Sequence, residues 1–252
     1  MSKPYLSLSI LCYNEEGSLE RAARLCSEVL ERCSLSYELV LVDDGSSDTS
    51  PGIMLRLAEE LPHCRVITHP RNLGIGAGVR TCFFGTRGEW ATWFPADLQA
   101  DPRELPRLLE QLTDCDVLIT HRDLRERKAT LLRKFVSFTD RALVRLLFGL
   151  ALKDLHWIRF YRRELLDRMV LTSRSPIVDT EMVVFAKKLG ARIREVPLAD
   201  HPRETGVARG ASIKSVVQSV GELLALRLRR REIAPDGQVG TLPADRDPAW
   251  RK

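Results

Sequence analysis

Short apolar runs that end in glycine, serine or acidic residues alternate along this chain of 252 residues with longer segments of helical periodicity. The short runs are typical of buried strands, and apolar residues repeating every three to four positions indicate amphipathic helices. Strands are predicted at 5–12, 39–42, 65–69, 90–94 and 116–120, with short extended segments at 156–161 and 192–196. Helices are predicted at 19–30, 50–61, 131–148, 163–171, 179–189 and 212–231. The alternation over the first 120 residues predicts an α/β fold with a mostly parallel sheet flanked by helices.

Acidic residues follow two of the predicted strands at the point where each strand ends. Asp43 and Asp44 come directly after the apolar run at 39–42, and Asp97 follows the strand at 90–94. In an open α/β sheet the carboxyl ends of parallel strands lie along one edge, where ligands bind. Two adjacent carboxylates repel each other and need water, a cation or donor groups on a ligand to compensate them. This need favours a binding role for Asp43 and Asp44 over a turn that merely joins a strand to a helix.

Two further segments allow a structural explanation. Asp101, Pro102 and Glu104 form a typical helix start, with an acid three residues after the cap, so Asp101 is expected to cap a helix. The run N-L-G-I-G-A-G at 72–78 has three glycines in five residues, which lets the backbone approach a neighbour or a ligand closely. It lacks the spacing of a P-loop or of a dinucleotide fingerprint. A tight turn into a helix that packs on the sheet and a phosphate-binding loop are both consistent with it.

The charge balance predicts an anionic partner. The chain has 39 lysines and arginines against 34 acidic residues, a net charge of +5, which suits a phosphate, a nucleic acid or a membrane surface. Nucleic acid is the least favoured of these partners, because the basic residues are not interleaved with aromatic ones. Six basic residues lie within 121–134, directly after the fifth strand. They predict either a solvated face or, at the edge that carries the acids, a phosphate-binding surface.

Cysteine usage and apolar run lengths predict a cytoplasmic protein without a transmembrane helix. The six cysteines are scattered without a C-x-x-C pair, which predicts free thiols rather than disulfides or a zinc site. No apolar run approaches the ~18 residues of a membrane span, and the N-terminus lacks the apolar core of a signal peptide. Residues 1–232 are expected to form a single domain, and 233–252, rich in Pro, Gly and Asp, a disordered tail.

The helix predicted at 212–231 is amphipathic and basic. One face is apolar, and four arginines at 227–231 lie at its carboxyl end. Such a helix either docks on a membrane interface or packs on the domain, with its cations favourably placed at the negative end of the helix dipole. The sequence supports both interpretations equally.

Several motifs occur in a fixed order that resembles a known family. They are S-I-L-C-Y-N-E-E at 9–16, V-D-D-G-S-S-D-T at 42–49, N-L-G-I-G-A-G at 72–78, A-D-L-Q-A-D-P at 96–102, D-L-H-W-I-R-F-Y-R at 154–162, D-T-E at 179–181, E-V-P at 195–197 and R-E-T-G at 203–206. Each motif alone is weak, but the ordered set resembles the inverting family 2 glycosyltransferases of GT-A (Rossmann-like) fold. Within that family it is most similar to the polyprenyl-phosphate sugar transferases typified by dolichol-phosphate mannose synthase.

The resemblance implies a role for each matching position. The nucleotide-sugar donor would be bound by Tyr13, Asn14, Glu15, Asp43, Asp44, Gly74, Gly76, Ala96 and Asp97. A Mg²⁺ or Mn²⁺ ion bridging the donor phosphates would be held by Asp97 and Gln99. A phosphate of the acceptor or of the departing nucleotide would be received by Arg122, Arg133, Ser137 and Arg203. The implied catalytic set is Asp97, Arg122, Asp179 and Glu181, with the last two where other family members place a catalytic base.

These residue types suit the implied chemistry. The leaving group is a nucleoside diphosphate, and a metal ion and arginines would stabilise the charge that develops on it. A hard divalent cation prefers oxygen ligands, which Asp97, Gln99 and phosphate oxygens supply. A hydroxyl acceptor needs a general base such as Asp179, whereas a phosphate acceptor is already ionised and needs only orientation.

The implied activity is transfer of a hexosyl group from a GDP- or UDP-sugar to polyprenyl or dolichyl phosphate at the cytoplasmic membrane face. Membrane contact would come through 212–231 or through a membrane-anchoring partner. A soluble hydroxyl acceptor and a catalytically reduced nucleotide-sugar-binding relative are the alternatives. The second alternative rests on Pro95, which stands where the family has the first acid of a D-x-D motif. Metal binding is therefore expected to be weaker, to use water or Asp44 instead, or to be lost.

Overall fold

The computed structural model describes residues 3–122, 141–173, 175–202 and 213–229, and a mixed sheet of seven strands runs through them. The strands are β1 (Leu6–Cys12), β2 (Tyr37–Asp43), β3 (Cys64–Thr68), β4 (Trp90–Pro95), β5 (Val117–His121), β6 (Arg159–Arg162) and β7 (Ile193–Pro197). Their spatial order is β3-β2-β1-β4-β6-β5-β7. Only β6 runs antiparallel to its two neighbours, and the other four pairs are parallel. The predicted mostly parallel α/β sheet is confirmed.

Helices cover both faces of this sheet. They are α1 (Leu19–Arg32), α2 (Ser50–Glu60), α3 (Ile75–Phe84), α4 (Leu105–Glu110), α5 (helical over 141–148), α6 (Arg163–Leu166), α7 (Ile177–Lys188) and α8 (Ile213–Arg229). A short 3₁₀ turn at Pro102–Glu104 leads into α4, and Asp101 Oδ1 accepts a hydrogen bond from the Arg103 N–H at 2.9 Å. The predicted capping role of Asp101 is therefore confirmed.

The helix predicted at 163–171 is wrong in length, because α6 ends at Leu166. The chain beyond it buries Met169 and Leu171 without helical structure. The backbone N–H groups of Thr172 and Ser173 donate instead to a distant carboxylate, that of Glu181. A tertiary contact therefore overrides the local periodicity that favoured a longer helix.

The sheet is buried on both faces, which explains its continuous apolar runs. Every residue of β2 is buried. Leu8, Leu39 and Leu41 pack with α1 and α2 residues on one face. On the other face Ala91 and Val117 pack with residues of α3, α7 and α8. The alternation of side chains along each strand distributes the core between the two faces.

The strand registers bring four strand ends to one edge, which we call the site edge. Cys12 of β1 pairs with Asp43 of β2, and Leu11 pairs with Pro95 at the end of β4. β5 runs parallel to these strands because the antiparallel β6 separates it from β4. The ends of β1, β2, β4 and β5 and the start of β6 therefore lie together.

Some predictions fall on other parts of the chain. The basic residues of 123–134, the phosphate ligands Arg133, Ser137 and Arg203, and the tail at 233–252 lie outside the described residues. All six cysteines are free thiols, as predicted, and four of them are buried. Within the part of the chain that the structure describes, no helix has the length and apolar character that crossing a membrane requires.

Candidate functional site

The loops that follow β1 and β2 form one hydrogen-bonded unit at the site edge. Asn14, which has a positive φ of 55°, donates its backbone N–H to Ser46 Oγ at 3.0 Å. Its side-chain Oδ1 accepts from the Ser47 N–H at 2.8 Å. Asparagine tolerates this left-handed conformation better than most residues. Asn14 therefore joins the two motifs, and it holds the half-buried Tyr13 and Glu15 on the loop beside the end of β2.

Asp43 and Asp44 are neighbours in sequence but have different surroundings. Asp43 is buried, and its Oδ1 accepts from the Ser46 N–H at 2.9 Å. The Asp44 carboxylate accepts from the Leu73 and Gly74 N–H groups at 3.0 and 2.9 Å. Backbone N–H groups of the protein thus compensate the two carboxylates, where water, a cation or a ligand was expected from the sequence. Asp44 therefore anchors the glycine-rich loop to the end of β2.

His69 completes this arrangement and was not identified from the sequence. Its Nδ1 lies 2.7 Å from Asp44 Oδ1, and its Nε2 lies 2.8 Å from Thr81 Oγ1 on α3. The ring is buried, so the three groups form a chain from the end of β2 to the helix behind the loop. Its position in the sequence could have identified it, because His69 directly follows β3 at the same edge of the sheet as the acids.

The glycine-rich loop is a tight turn into α3. Gly74 has φ +90° at the helix start, a conformation that favours glycine. A Cβ on Gly78 would lie 2.6 Å from Leu11 Cδ1, so a larger residue there would require the Leu11 side chain to move. Gly76 is also buried within the helix. Backbone conformation therefore accounts for Gly74, and close packing on β1 favours glycine at Gly78.

The loop after β4 carries the predicted metal ligands. Ala96 and Asp97 are buried, and Asp97 Oδ1 accepts from the Gln99 N–H at 3.1 Å. Leu98 between them has φ +56°, so the loop turns sharply. The Gln99 carbonyl accepts from the His201 N–H at 2.8 Å, which attaches the chain after β7 to this loop. Because β1 lies between β2 and β4, and neighbouring strands are about 4.8 Å apart, Asp97 and the end of β2 are separated by roughly 10 Å.

The side chains of this loop suit a divalent cation that takes its remaining oxygen ligands from a bound substrate. Asp97 and Gln99 offer carboxylate and amide oxygens, while the half-buried Pro95 has none. Among the described residues, no group of three His, Cys, Asp or Glu side chains is arranged to hold a metal. Mg²⁺ commonly binds through one or two carboxylates, with water and substrate phosphates completing its shell. Asp44 is a poor substitute ligand, because its oxygens already accept hydrogen bonds from the protein.

Arg122, which follows β5, is fixed by an ion pair with the buried Asp154. Its Nε and Nη2 donate to the two Asp154 carboxylate oxygens at 2.6 and 3.0 Å. The guanidinium also lies 4.6 Å from the centroid of the Trp157 ring. Burial alone raises the pKa of Asp154, but the hydrogen bonds and charge of Arg122 outweigh it and hold that pKa below its usual range.

We expect Asp154→Asn to lower the free energy of unfolding by about 3 kcal/mol at pH 7, because it leaves Arg122, whose side chain is only 15% exposed, without a counter-charge. A carboxyl with a lowered folded-state pKa stabilises the protein above its unfolded pKa, near 4, and this stability is lost as the pH falls through the folded value. The difference between wild type and variant should therefore shrink below about pH 4. Urea unfolding at pH 7, 5, 4 and 3 measures it, and a difference that stays constant contradicts the role of the ion pair.

Asp179 and Glu181, both on α7, serve different parts of the structure. Asp179 Oδ2 lies 3.5 Å from His156 Nδ1, and its Oδ1 lies 3.8 Å from Arg159 Nη1. The Glu181 carboxylate instead accepts from the N–H groups of Thr172 and Ser173 and from the Thr172 hydroxyl. The structure thus brings Asp179 to the Arg122 side of the site edge and uses Glu181 to hold the chain before α7.

Comparison with protein families and curated proteins gives consistent results. Residues 7–170 match the family model for glycosyl transferase family 2. The undecaprenyl-phosphate 4-deoxy-4-formamido-L-arabinose transferase of Sodalis glossinidius (strain morsitans) is 33% identical over 216 residues, covering 84% of this chain and 64% of that protein. The transferase of the same name from Salmonella choleraesuis (strain SC-B67) is 33% identical over 205 residues, covering 80% and 61%. The chain therefore spans less than two thirds of the length of these relatives.

Solved structures share the fold at lower identity. Glucosyl-3-phosphoglycerate synthase from Mycobacterium tuberculosis, in complex with Mn²⁺, UDP and glucosyl-3-phosphoglycerate, matches with a TM-score of 0.65 at 17% identity, covering 90% of this chain and 80% of that one. The same synthase in complex with Mg²⁺ and UDP also matches with a TM-score of 0.65, at 18% identity, covering 90% and 79%. This likeness concerns the architecture, and it confirms the predicted GT-A fold.

Proposed function

Because the chain belongs to glycosyl transferase family 2, we propose that it transfers a sugar from a nucleoside-diphosphate sugar to a polyprenyl phosphate. The names of the curated relatives support this acceptor class. The observation that carries the proposal is the placement of Asp43, Asp97 and Arg122 at the ends of three strands on one edge. That arrangement offers acidic groups for a sugar nucleotide with its cation and a basic group for phosphate.

The donor would lie across the ends of β1, β2 and β4. Tyr13, Glu15 and Asp43 belong to the hydrogen-bonded unit on the β2 side, where they would contact the base and ribose. The order of the strands then brings the diphosphate to the loop after β4, which carries Asp97 and Gln99. GDP- and UDP-sugars are both compatible with this placement.

Asp97 and Gln99 would hold Mg²⁺ or Mn²⁺, as the complexes of the mycobacterial synthase with these ions and UDP also suggest. When bound, the cation neutralises the charge that develops on the departing nucleoside diphosphate. The Gln99 N–H orients the Asp97 carboxylate before any ligand arrives. Arg122, oriented by Asp154, would add positive charge on the acceptor side.

A soluble hydroxyl acceptor is the second candidate, because Asp179 lies on the acceptor side with a basic neighbour, Arg159. A hydroxyl acceptor requires a general base, and Asp179 is the carboxylate placed for that task. Glu181 is a weaker candidate, since four hydrogen bonds occupy its carboxylate. Replacing Asp179 with asparagine separates the two functions: hydroxyl transfer should collapse, and transfer to a phosphate should fall only through weaker acceptor binding.

The test of the proposed function is glycolipid synthesis by the purified protein. It should be supplied with a panel of GDP- and UDP-sugars, Mg²⁺ or Mn²⁺, and undecaprenyl phosphate in detergent. Formation of a radiolabelled lipid-linked sugar with at least one donor supports the proposal. Absence of product across the panel, with nucleotide binding intact, contradicts the lipid acceptor and leaves a sugar-nucleotide-binding protein.

One face of α8 packs on the domain, and a second apolar face is exposed and suits a membrane interface. Leu223 and Leu226 are buried, and the Glu222 carboxylate accepts from the Ser175 hydroxyl at 2.7 Å, which attaches α8 to the segment before α7. Val220, Leu224 and Leu228 are 40%, 49% and 76% exposed and recur every four residues. The helix therefore packs on the domain with one apolar stripe and exposes a second. We propose that this second stripe, beside Arg227, contacts an anionic membrane.

Leu224→Asp together with Leu228→Asp is expected to lower binding to vesicles of phosphatidylcholine and phosphatidylglycerol by about 100-fold. Each leucine contributes up to about 2 kcal/mol when buried in the bilayer, and each new carboxylate is repelled by the anionic surface. Vesicle flotation measures the effect. The matched control is Leu55→Asp, on α2, which is also largely exposed and should leave binding unchanged. Equal binding by wild type and the double variant contradicts the membrane face.

A further inference from the structure

A carboxylate of α8 holds the chain directly before α7. Glu222 Oε2 accepts hydrogen bonds from the Ser175 N–H at 3.2 Å and from the Ser175 hydroxyl at 2.7 Å. The same hydroxyl oxygen accepts from the N–H of Ile177, the first residue of α7, at 3.2 Å. Ser175 is buried, so these bonds form a continuous connection between the two helices. We call this connection of Ser175, Ile177 and Glu222 the α7–α8 clamp.

The clamp fixes the rotation of α8 about its own axis. An α-helix turns by about 100° per residue, so Leu224, two positions after Glu222, points to roughly the opposite side of the helix. Leu224 is the middle residue of the exposed second stripe. The buried Leu223 and Leu226 lie between these two directions and pack in the core with residues of α7. The direction in which the second stripe faces is therefore set by the contact that Glu222 makes.

The first turn of α7 is in turn fixed at the site edge. Arg159, the first residue of β6, donates through Nη1 to the backbone carbonyl of Asp179. The same Nη1 lies 3.8 Å from the Asp179 carboxylate, and Arg159 is fully buried. Asp179 lies in the first turn of α7, two residues after Ile177. Two linked contacts thus join the second stripe of α8 to the strand ends on the acceptor side.

We propose that Glu222 and Ser175 are positioning residues that set the angle at which the site edge faces the membrane. The inference rests on the proposed function, since it concerns the membrane that holds the proposed acceptor and the stripe proposed to contact it. Neither residue has to touch the acceptor for this role. The clamp acts because one side of α8 meets the bilayer while another side is attached to the helix that reaches the site edge.

An acceptor embedded in a bilayer makes this angle important. The phosphate of a polyprenyl phosphate stays at the level of the lipid headgroups, because its chain is buried in the bilayer. A protein docked on the same surface reaches that phosphate only if its site edge faces the membrane correctly. A short polyprenyl phosphate in water can approach the site from any direction. An error in the docking angle therefore lowers transfer to the embedded acceptor and leaves transfer to the soluble one unchanged.

The inference is tested by comparing undecaprenyl phosphate in vesicles of phosphatidylcholine and phosphatidylglycerol with geranyl phosphate in solution. Glu222→Ala and Ser175→Ala should each lower kcat/KM for the embedded acceptor by about 10-fold, with enough vesicles to bind all of the protein. Both variants should stay within about two-fold of wild type with geranyl phosphate. The double variant should lose no more than the poorer single variant, because the two side chains act through one contact.

Two further variants serve as controls. Glu222→Gln keeps a side-chain oxygen that accepts from Ser175, so its transfer to the embedded acceptor should stay within about three-fold of wild type. Glu59→Ala removes an exposed carboxylate from α2 and should leave both transfers unchanged. Thermal melting and vesicle flotation must show that each variant is folded and docked like the wild type. If Glu222→Ala is not, Ser175→Ala keeps the test decisive, because it removes only a hydroxyl group.

The outcomes separate this inference from the proposed function. Equal losses with the two acceptors overturn the inference, because the clamp then only stabilises the fold. Unchanged transfer to the embedded acceptor, or additive losses in the double variant, overturn it as well. If the wild type uses neither acceptor, the proposed function fails; in that case, and if it uses only one, neutron reflectometry of the protein on a supported bilayer decides the inference. A protein-layer profile that differs between wild type and Glu222→Ala supports the clamp, and identical profiles overturn it.

Discussion

Replacing Asp97 with asparagine is expected to lower sugar transfer by about 10²–10³-fold while leaving the fold intact. Asparagine has the same size and retains an oxygen that can accept the Gln99 N–H, so the turn after β4 should persist. What is lost is the negative charge that a hard divalent cation requires. Because Pro95 supplies no second acid, the remaining oxygen ligands cannot compensate for that loss. Initial rates measured over a range of Mn²⁺ concentrations should show a lower maximum and a higher half-saturating concentration of metal.

The same loop provides the control for this prediction. Asp101 lies four residues further on, and its Oδ1 caps the 3₁₀ turn by accepting from the Arg103 N–H. Asp101→Asn removes the same charge from the same loop and should keep transfer within about two-fold, because asparagine is also a good cap. If both variants lose activity equally, the loss reflects the loop or its net charge. If neither does, Asp97 does not hold a metal that the reaction needs.

The parallel part of the sheet could be predicted because each strand carries its own local pattern. The runs that form β1, β2 and β4 are apolar and end in turn-forming or acidic residues, and each is followed by a helix with a clear stripe. The place of β6 could not be predicted in this way. A strand of four residues is too short to show a period, and its antiparallel insertion between β4 and β5 depends on pairing over 40 or more residues.

The candidate site shows the same division between local and long-range information. The acids at strand ends were visible in sequence, because buried strands rarely end in carboxylates without a reason. Their partners were not visible, since Arg122 meets Asp154 across 32 residues and Asp44 meets His69 across 25. Two adjacent aspartates therefore looked equivalent, although one of them holds a loop. The proximity of His156 to Asp179 was not visible either, because it exists only after α7 has packed beside the start of β6.

Replacing Asp44 with alanine is expected to destabilise the protein by about 3 kcal/mol or more. The change leaves the N–H groups of Leu73 and Gly74 and the ring of the buried His69 without their acceptor. Each buried polar group left unsatisfied costs about 1–3 kcal/mol. The Gly45 backbone next to it offers no room for adjustment, since a Cβ there would already lie 2.2 Å from the backbone carbon of Arg71. Urea unfolding followed by circular dichroism measures the loss.

Asp43→Asn is the matched comparison, because it changes the neighbouring carboxylate at the same strand end. Asparagine can still accept from the Ser46 N–H through its side-chain oxygen, so the cost in stability should be about 1 kcal/mol or less. Its effect should instead fall on nucleotide affinity, which we expect to weaken by about 10-fold because the proposed contact with the ribose hydroxyls would lose its charge. The roles assigned to Asp43 and Asp44 would be reversed if the Asp44→Ala variant unfolded at the same urea concentration as the wild type but no longer bound the nucleotide. Asp44 thus keeps the glycine-rich loop in place, and we propose that the adjacent Asp43 binds the donor.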